Sequence, residues 1–383
     1  MEIIFWISAL LVIYIYAGYP LLLKVLPAHK PGIQIAPSEP PKVTVLIAAY
    51  NEAAHIEATI RNKLDQQYPA DHLNIIVISD ESTDGTDDIV QTIAAEDKRV
   101  SLIRQSPRQG KTSALNLAMA SVHSDIVIFS DANSIYHPDA VHNLVECFQD
   151  QSVGYVTGKM IYVTTEGKVA GDGCSAYMKY ENLLRRLETR VSSVVGVDGG
   201  IDAIRRDLYQ NMQADQLPDF VQPLKVVTQG KRVVYCEKAL LNEEILEDDQ
   251  KEFNMRVRVS LRAYWAMADM RHLFNPKHYG VFSLQLISHK FLRYLAFIPL
   301  IIAFISNGFI TGNDPFYAFT YAVQILFYGA AAWAALSGSS HHKLLKLPHY
   351  FCLINIASLI AFIRYSRGEK IVMWKPRGGQ ETR

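Results

Sequence analysis

Three polar clusters stand at the ends of apolar runs, where a buried strand has no need of them. Ala49-Tyr50-Asn51-Glu52 closes the run Val43–Ala49 (VTVLIAA). Asp80-Glu81-Ser82-Thr83-Asp84-Gly85-Thr86 follows Leu73–Ser79, and Ser130-Asp131-Ala132-Asn133 closes Asp125–Ser130 (DIVIFS). Singly, each reads as a helix N-cap, a role that Asp, Ser, Thr and Asn perform well. Together they place several carboxylates at neighbouring strand tips. Fixed carboxylates there suit ribose hydroxyls, base N–H groups, and a divalent cation that carries phosphates.

The elements that must position these clusters follow from the hydrophobic pattern. A continuous apolar run marks a strand buried on both faces. Helical stretches fall between the runs, at about 53–66, 86–95 and 111–121, and Ser101–Arg104 adds a short strand. Strand and helix in alternation predict a doubly wound α/β sheet, whose ligands bind at the carboxyl ends of the strands. Val153–Val163, Val194–Ile204 and Arg232–Cys236 predict a second, more mixed set of strands.

The chain of 383 residues has zero formal charge, 38 basic against 38 acidic residues. That balance disfavours a nucleic-acid binder that relies on bulk positive charge. The composition also excludes disorder and coiled-coil arrays. The zero hides a split: residues 276–383 carry 11 Lys+Arg and 3 Asp+Glu, a net of +8, which leaves −8 for residues 1–275. Ile3–Leu23 has no charged residue and is long enough to cross a bilayer. Lys24 and Lys30 follow it, so it reads as a retained anchor with its N-terminus outside and the next domain in the cytoplasm. Leu295–Thr311 and Phe316–Leu336 predict a membrane hairpin. Tyr350–Ile363 is short for a span and is expected to be re-entrant or interfacial, with a fourth span as the alternative. The expected plan is an anchor at 1–25, a linker at 26–41, a catalytic domain at 42–248, interfacial helices at 249–290, a membrane region at 291–365 and a basic tail at 366–383. A transporter or channel is disfavoured, because the apolar segments hold almost no ionisable residues. Cys147, Cys174, Cys236 and Cys352 have no metal-ligand spacing.

Gly110-Lys111-Thr112 looks like the end of a phosphate-binding P-loop, but Gln105 stands where that loop needs glycine, so an ATPase is disfavoured. A phosphate-facing Lys111 and an exposed helix-start lysine both remain open.

The ordered set Val43–Glu52, Asp80–Thr86, Gly110–Asn116 (GKTSALN), Asp131-Ala132-Asn133, Gly199–Arg206 (GGIDAIRR), Leu217–Phe220 (LPDF) and Gly230–Tyr235 (GKRVVY) resembles the membrane-bound bacterial branch of the family 2 glycosyltransferases, over roughly residues 40–270. The resemblance implies a GT-A-type doubly wound nucleotide-sugar-binding domain joined to transmembrane helices. It implies a membrane enzyme that transfers a sugar, with inversion, from a nucleotide-sugar, foremost a UDP-sugar, to a lipid-linked or growing glycan acceptor at the cytoplasmic face. Tyr50 and Glu52 would border the base and ribose, and Asp80 would accept from the base. Asp131 would be the main ligand of Mg²⁺ or Mn²⁺, with Asn133 in place of the family's second acid. Asp219 would be the general base beside the acceptor hydroxyl; a helix N-cap is its plainer reading. The pair Glu247-Asp248 competes for the base role and reads as a solvated face. Arg258 retains the arginine of the processive members' Q-x-x-R-W motif and could contact diphosphate, but Met255 and Val259 replace Gln and Trp. Tyr177, Tyr180 and Glu181 are expected to edge the acceptor site. A processive polysaccharide synthase and a non-catalytic nucleotide-sugar binder are the competing readings.

Overall fold

The computed structural model describes residues 1–35, 38–163, 173–244, 249–337 and 342–371. The side chains of 173–176, Glu244, Asp249 and Lys343 lie outside this set. So do the Glu247-Asp248 pair, the Cys174 side chain and the basic tail beyond residue 371. The chain divides into two compact units. One comprises Ala28–Val169, Glu188–Ile245 and Lys370–Arg383; the other comprises Met1–Pro27, Ala170–Leu187 and Leu246–Glu369.

The first unit is built on an eight-stranded mixed sheet. Its strands are β1 (Val43–Ala49), β2 (Leu73–Asp80), β3 (Val100–Gln105), β4 (Ile126–Asp131), β5 (Ile135–Tyr136), β6 (Val153–Val163), β7 (Ile201–Arg205) and β8 (Arg232–Glu244), in the order β3-β2-β1-β4-β7-β6-β8-β5. The pairs β2–β3, β1–β2 and β1–β4 are parallel, and β7 runs antiparallel to both β4 and β6. Every residue of β1 is buried, which is why it reads as one unbroken apolar run. Leu46 and Ile47 are fully buried, and burial on that scale stabilises by roughly 1.5–3 kcal/mol per side chain. Register then fixes the site. Ala49 pairs with Ser79 and Ala48 with Asp131, so the three polar clusters emerge side by side.

Helices cover the sheet. The helix Lys111–Met119 presents Ala114, Leu115 and Ala118 to Leu46, Ile78, Val127 and Phe129, and the core continues through Tyr155, Ile204, Val226 and Val233. The second expected strand of the mixed set is shorter than anticipated. Strand β7 starts only at Ile201, and Val194–Gly200 is an irregular but buried approach to it. The proline-rich segment ahead of β1 is bonded to this unit: Gly32 N–H donates to Asp150 Oδ2, and His29 N–H donates to the Arg190 carbonyl.

The second unit is helical. Glu2–Val25, Pro315–Ser337 and Leu344–Ser366 are each long and apolar enough to cross a membrane. The 14-residue stretch Tyr350–Ile363 is thus only part of a 24-residue helix, Lys343–Ser366, which continues through Pro348. That helix is long and apolar enough for the alternative reading, a fourth span. Phe297–Ile310 is 14 residues, about 21 Å, too short to span alone. It pairs with Val281–Tyr294 across a 58° bend, the geometry of a broken span or a re-entrant loop. The helix Asp249–Asp269 packs against Lys343–Ser366 in this unit.

Candidate active site

The site grows from the ends of β1, β2 and β4. Loop 50–53 is tied to loop 81–86 by four bonds. Asn51 N–H donates to Ser82 Oγ, Thr83 N–H to Asn51 Oδ1, Glu52 N–H to Thr86 Oγ1 and Ala53 N–H to Asp84 Oδ2. Asn51 and Glu81 take positive φ, 52° and 64°, so the chain turns sharply at both strand ends.

Asp80 is almost fully buried and organises a third loop. Its Oδ1 accepts from the Gln109 N–H at 2.9 Å and from Gln105 Nε2; its Oδ2 accepts from the Gly110 N–H at 2.9 Å. Much of its acceptor capacity is therefore taken up within the protein. This loop delivers Arg108, a residue the sequence reading missed. Its guanidinium carbon lies 3.4 Å from the centroid of the Tyr50 ring.

Lys111 starts the helix after that loop. Its ammonium donates to Asp131 Oδ1 at 2.6 Å and lies 3.8 Å from Asp219 Oδ1. Burial works against its charge, but the carboxylates of Asp131 and Asp219 outweigh burial and raise its pKa. Asp219 is the second residue of the helix Pro218–Thr228, whose N-cap is Leu217, so Asp219 is not the cap. Between the two carboxylates runs Gly199-Gly200. Gly199 has φ +86°, and a Cβ on it would come within 2.5 Å of Asp219 Oδ2. A Cβ on Gly200 would lie 3.7 Å from Asp131 Oδ2. Glycine is required at 199 both by conformation and by the approach of Asp219.

The loop carrying Asp131 and Asn133 is held from behind by one face of the helix Ile56–Leu64. Thr59 Oγ1 donates to the Ala132 carbonyl at 2.6 Å, the Lys63 ammonium to the Ser134 carbonyl, and Asn62 Nδ2 to the Tyr136 carbonyl at 2.9 Å. Alternate carbonyls of the loop are thus taken by side chains three and four apart on the helix. Lys63 is fully buried, sits 3.6 Å over the Tyr136 ring, and has its pKa lowered well below the usual range by burial. None of these three residues carries a local signal of that task in the sequence.

Two further carboxyls are tuned. Glu52 is pushed up to about 7, first by burial and then by the charges of Asp131 and Asp84. It can therefore donate or accept near neutrality. Asp202, fully buried on β7, accepts from the Gly199 N–H and from the Tyr155 hydroxyl, each at 3.1 Å, through Oδ2. It is pushed up to about 8 by burial and then by Asp219. In the unfolded chain such a carboxyl ionises near pH 4. Between roughly pH 4 and 8 the unfolded chain has lost a proton that the folded chain keeps, so stability falls as pH rises through that window. Asp202→Asn cannot ionise. Its melting temperature is expected to exceed that of the parent by a margin that grows from pH 5 to pH 8. Melting curves across that range check this, and a margin independent of pH would refute it.

Among the described residues, no group of three or more His, Cys, Asp or Glu side chains could hold a metal alone. Asp131 and Asn133 supply two hard oxygen donors from one braced loop. That set fits a Mg²⁺ or Mn²⁺ whose other ligands are water and phosphate oxygens.

Tyr50, Glu52, Asp80, Lys111, Asp131, Asn133 and Asp219 thus all belong to the sheet unit. Arg258, on the helix Asp249–Asp269, belongs to the helical unit, as do Tyr177, Tyr180 and Glu181.

Residues 44–213 match the family Glycosyl transferase family 2. The chain is similar to a beta-monoglucosyldiacylglycerol synthase of Nostoc, 27% identical over 168 residues, which are 43% of this chain and 36% of that protein. It is similar to the poly-beta-1,6-N-acetyl-D-glucosamine synthase of Staphylococcus aureus, 35% identical over 130 residues, 34% of this chain and 30% of that protein. The chain thus spans about a third of the length of these relatives. Among solved structures it is similar to the mannosyltransferase PcManGT from Pyrobaculum calidifontis in complex with GDP-Man and Mn²⁺, with a TM-score of 0.70 at 21% identity, covering 96% of this chain and 99% of that one. At that identity the likeness speaks to the fold, which is GT-A. Sheet order, sequence match and likeness of fold lead to one conclusion: residues 44–213 carry a family 2 glycosyltransferase domain of GT-A fold.

Proposed function

We propose that the enzyme transfers a sugar, with inversion, from a nucleotide-sugar, foremost a UDP-sugar, to a lipid-linked or growing glycan acceptor at the cytoplasmic face of the membrane. The observation that carries this is a single ammonium, Lys111, bridging Asp131 and Asp219 across Gly199-Gly200. An inverting transfer needs a cationic environment for the departing diphosphate and, opposite it, a carboxylate to take the acceptor's proton.

In this reading Tyr50 and Glu52 border the nucleoside, with Arg108 stacked behind Tyr50. Asp80 shapes their loop and uses its one remaining lone pair, on Oδ2, toward the base. Asp131 and Asn133 would hold Mg²⁺ or Mn²⁺, which when bound would neutralise charge on the departing diphosphate. Lys111, tied to both carboxylates, supplies a fixed positive charge toward the same phosphates. Asp219 accepts the proton of the acceptor hydroxyl. The new C–O bond forms at the anomeric carbon as the bond to the diphosphate oxygen breaks, and the electron pair leaves with the diphosphate. A glycolipid-synthase relative supports a lipid acceptor, and the three membrane-length helices support a membrane location.

The test is a panel of nucleotide-sugars with membrane extract as acceptor source, read as release of free nucleotide. Turnover of at least one donor, dependent on extract, is expected; no turnover with any donor would sink the reading. The poly-N-acetylglucosamine synthase relative favours a second reading, processive polymerisation. Product length on a defined acceptor separates the two, with single additions expected because Met255 and Val259 replace the motif's Gln and Trp.

A further inference from the structure

The helical unit contains a pocket of its own. It encloses about 570 Å³ of empty space, part of which is open to solvent. Its polar wall comprises Tyr177 and Glu181, Arg256, and His289, Lys290 and Arg293. Tyr16 and Asn355 close it from two further helices. Its charged side chains come from Gly173–Val191, Asp249–Asp269 and Val281–Tyr294, and those of Glu181, His289 and Arg293 are largely buried, which is costly unless they are paired or used.

Two independent features point to the same place. The helices around the pocket contain two π-helical turns, Tyr14–Gly18 and Ile287–Phe291, and these are bonded to each other through the Tyr14 and Ser288 hydroxyls at 2.7 Å. Single π turns are uncommon and frequently sit at functional sites, because they free backbone groups and redirect side chains. Here they aim Tyr16, His289 and Lys290 into the pocket wall. The second feature is charge. Among the described residues the lining holds three cations, Arg256, Lys290 and Arg293, and one carboxylate, Glu181. Glu181 is paired with Arg293 at 2.5 Å and with His289 at 3.3 Å. Glu252, which pairs with Arg256 at 2.8 Å, is the second carboxylate nearby. Among the described residues, these three cations therefore face two named carboxylates, before His289 is counted. The Tyr177 ring lies 5.2 Å from the Arg256 guanidinium and 5.5 Å from that of Arg293.

We propose that this pocket binds the phosphate-bearing head group of an anionic membrane lipid. Arginine forks and a lysine point charge are the groups that recognise phosphate. The unit's membrane-length helices place that phosphate on a lipid rather than on a soluble anion. The inference rests on the helical unit alone and stands whatever sugar the sheet unit transfers.

The test uses the full chain, purified in neutral detergent, with phosphatidylglycerol, phosphatidylcholine or inorganic phosphate. Retained lipid is read by native mass spectrometry and stability by melting temperature. Phosphatidylglycerol is expected to be retained over phosphatidylcholine and to raise the melting temperature. Lys290→Ala is expected to weaken its retention by about tenfold, the scale of one charge-assisted phosphate contact. Lys290→Arg should keep retention, and Lys277→Ala, at an exposed position of the same unit, should leave it unchanged. Equal retention of the two lipids would overturn the proposal, as would retention by Lys290→Ala equal to the parent's. Displacement of phosphatidylglycerol by millimolar inorganic phosphate would mark a soluble-anion site and overturn the lipid assignment. If Lys290→Ala does not fold, the three-probe comparison on the parent chain decides.

Discussion

Asp219→Asn is expected to lose transfer by about 10²- to 10⁴-fold in kcat, the scale of one positioned general base, while donor affinity changes little. The substitution keeps the shape of the side chain, so its close packing on Gly199 and its place in the first turn of Pro218–Thr228 persist. Lys111 retains its nearer partner, Asp131, at 2.6 Å. What is lost is the lone pair that takes the acceptor's proton. The negative charge that helps to raise Asp202 is lost with it, so Asp202 should titrate lower in this variant. Initial rates with saturating donor, together with donor binding by calorimetry, check the separation. Activity within threefold of the parent would remove Asp219 from the chemistry. A matching loss of donor affinity would make it a binding residue instead.

How far these groups were legible in sequence depends on the range of the interaction. Strand β1 was legible because burial on both faces leaves an unbroken apolar run. The clusters at its end and at the ends of β2 and β4 were legible because polar residues have no place inside such strands. Val194–Gly200 was misread as strand for the same reason in reverse. Val194 and Val195 are buried at 1% and 2% exposure, so an irregular segment takes on a strand's composition. Lys111 could be singled out, but its two partners lie 20 and 108 positions further along the chain and only the tertiary fold joins them. The brace from Thr59, Asn62 and Lys63 was invisible. A lysine on an amphipathic helix ordinarily faces water, whereas Lys63 is buried by the loop it holds. The last membrane-length helix was shortened in the reading by Lys346 and Pro348, which a helix near a bilayer surface tolerates.

Asp131→Asn should fail in a different way, and the contrast separates binding from proton transfer. Asp131 is linked to three parts of the proposed machinery. It accepts from Lys111, its charge raises Glu52, and its loop carries Asn133. Replacing it with an amide removes the only carboxylate of the proposed cation site and the nearer anchor of Lys111. The Lys111 ammonium, left with Asp219 at 3.8 Å, is then free to move toward that carboxylate and cover the general base. Loss of the ion's charge stabilisation amounts to several kcal/mol, so kcat/KM for the donor should fall by about 10³-fold or more. Unlike Asp219→Asn, this variant should also bind Mn²⁺ with nucleoside diphosphate more weakly, a readout available without any acceptor by electron paramagnetic resonance or calorimetry. Glu52 should titrate below its parent value of about 7, since one of the charges raising it is gone. Undiminished Mn²⁺–diphosphate binding in Asp131→Asn would move the cation site away from β4, and the nucleotide would then have to be held by Lys111 and its neighbours alone.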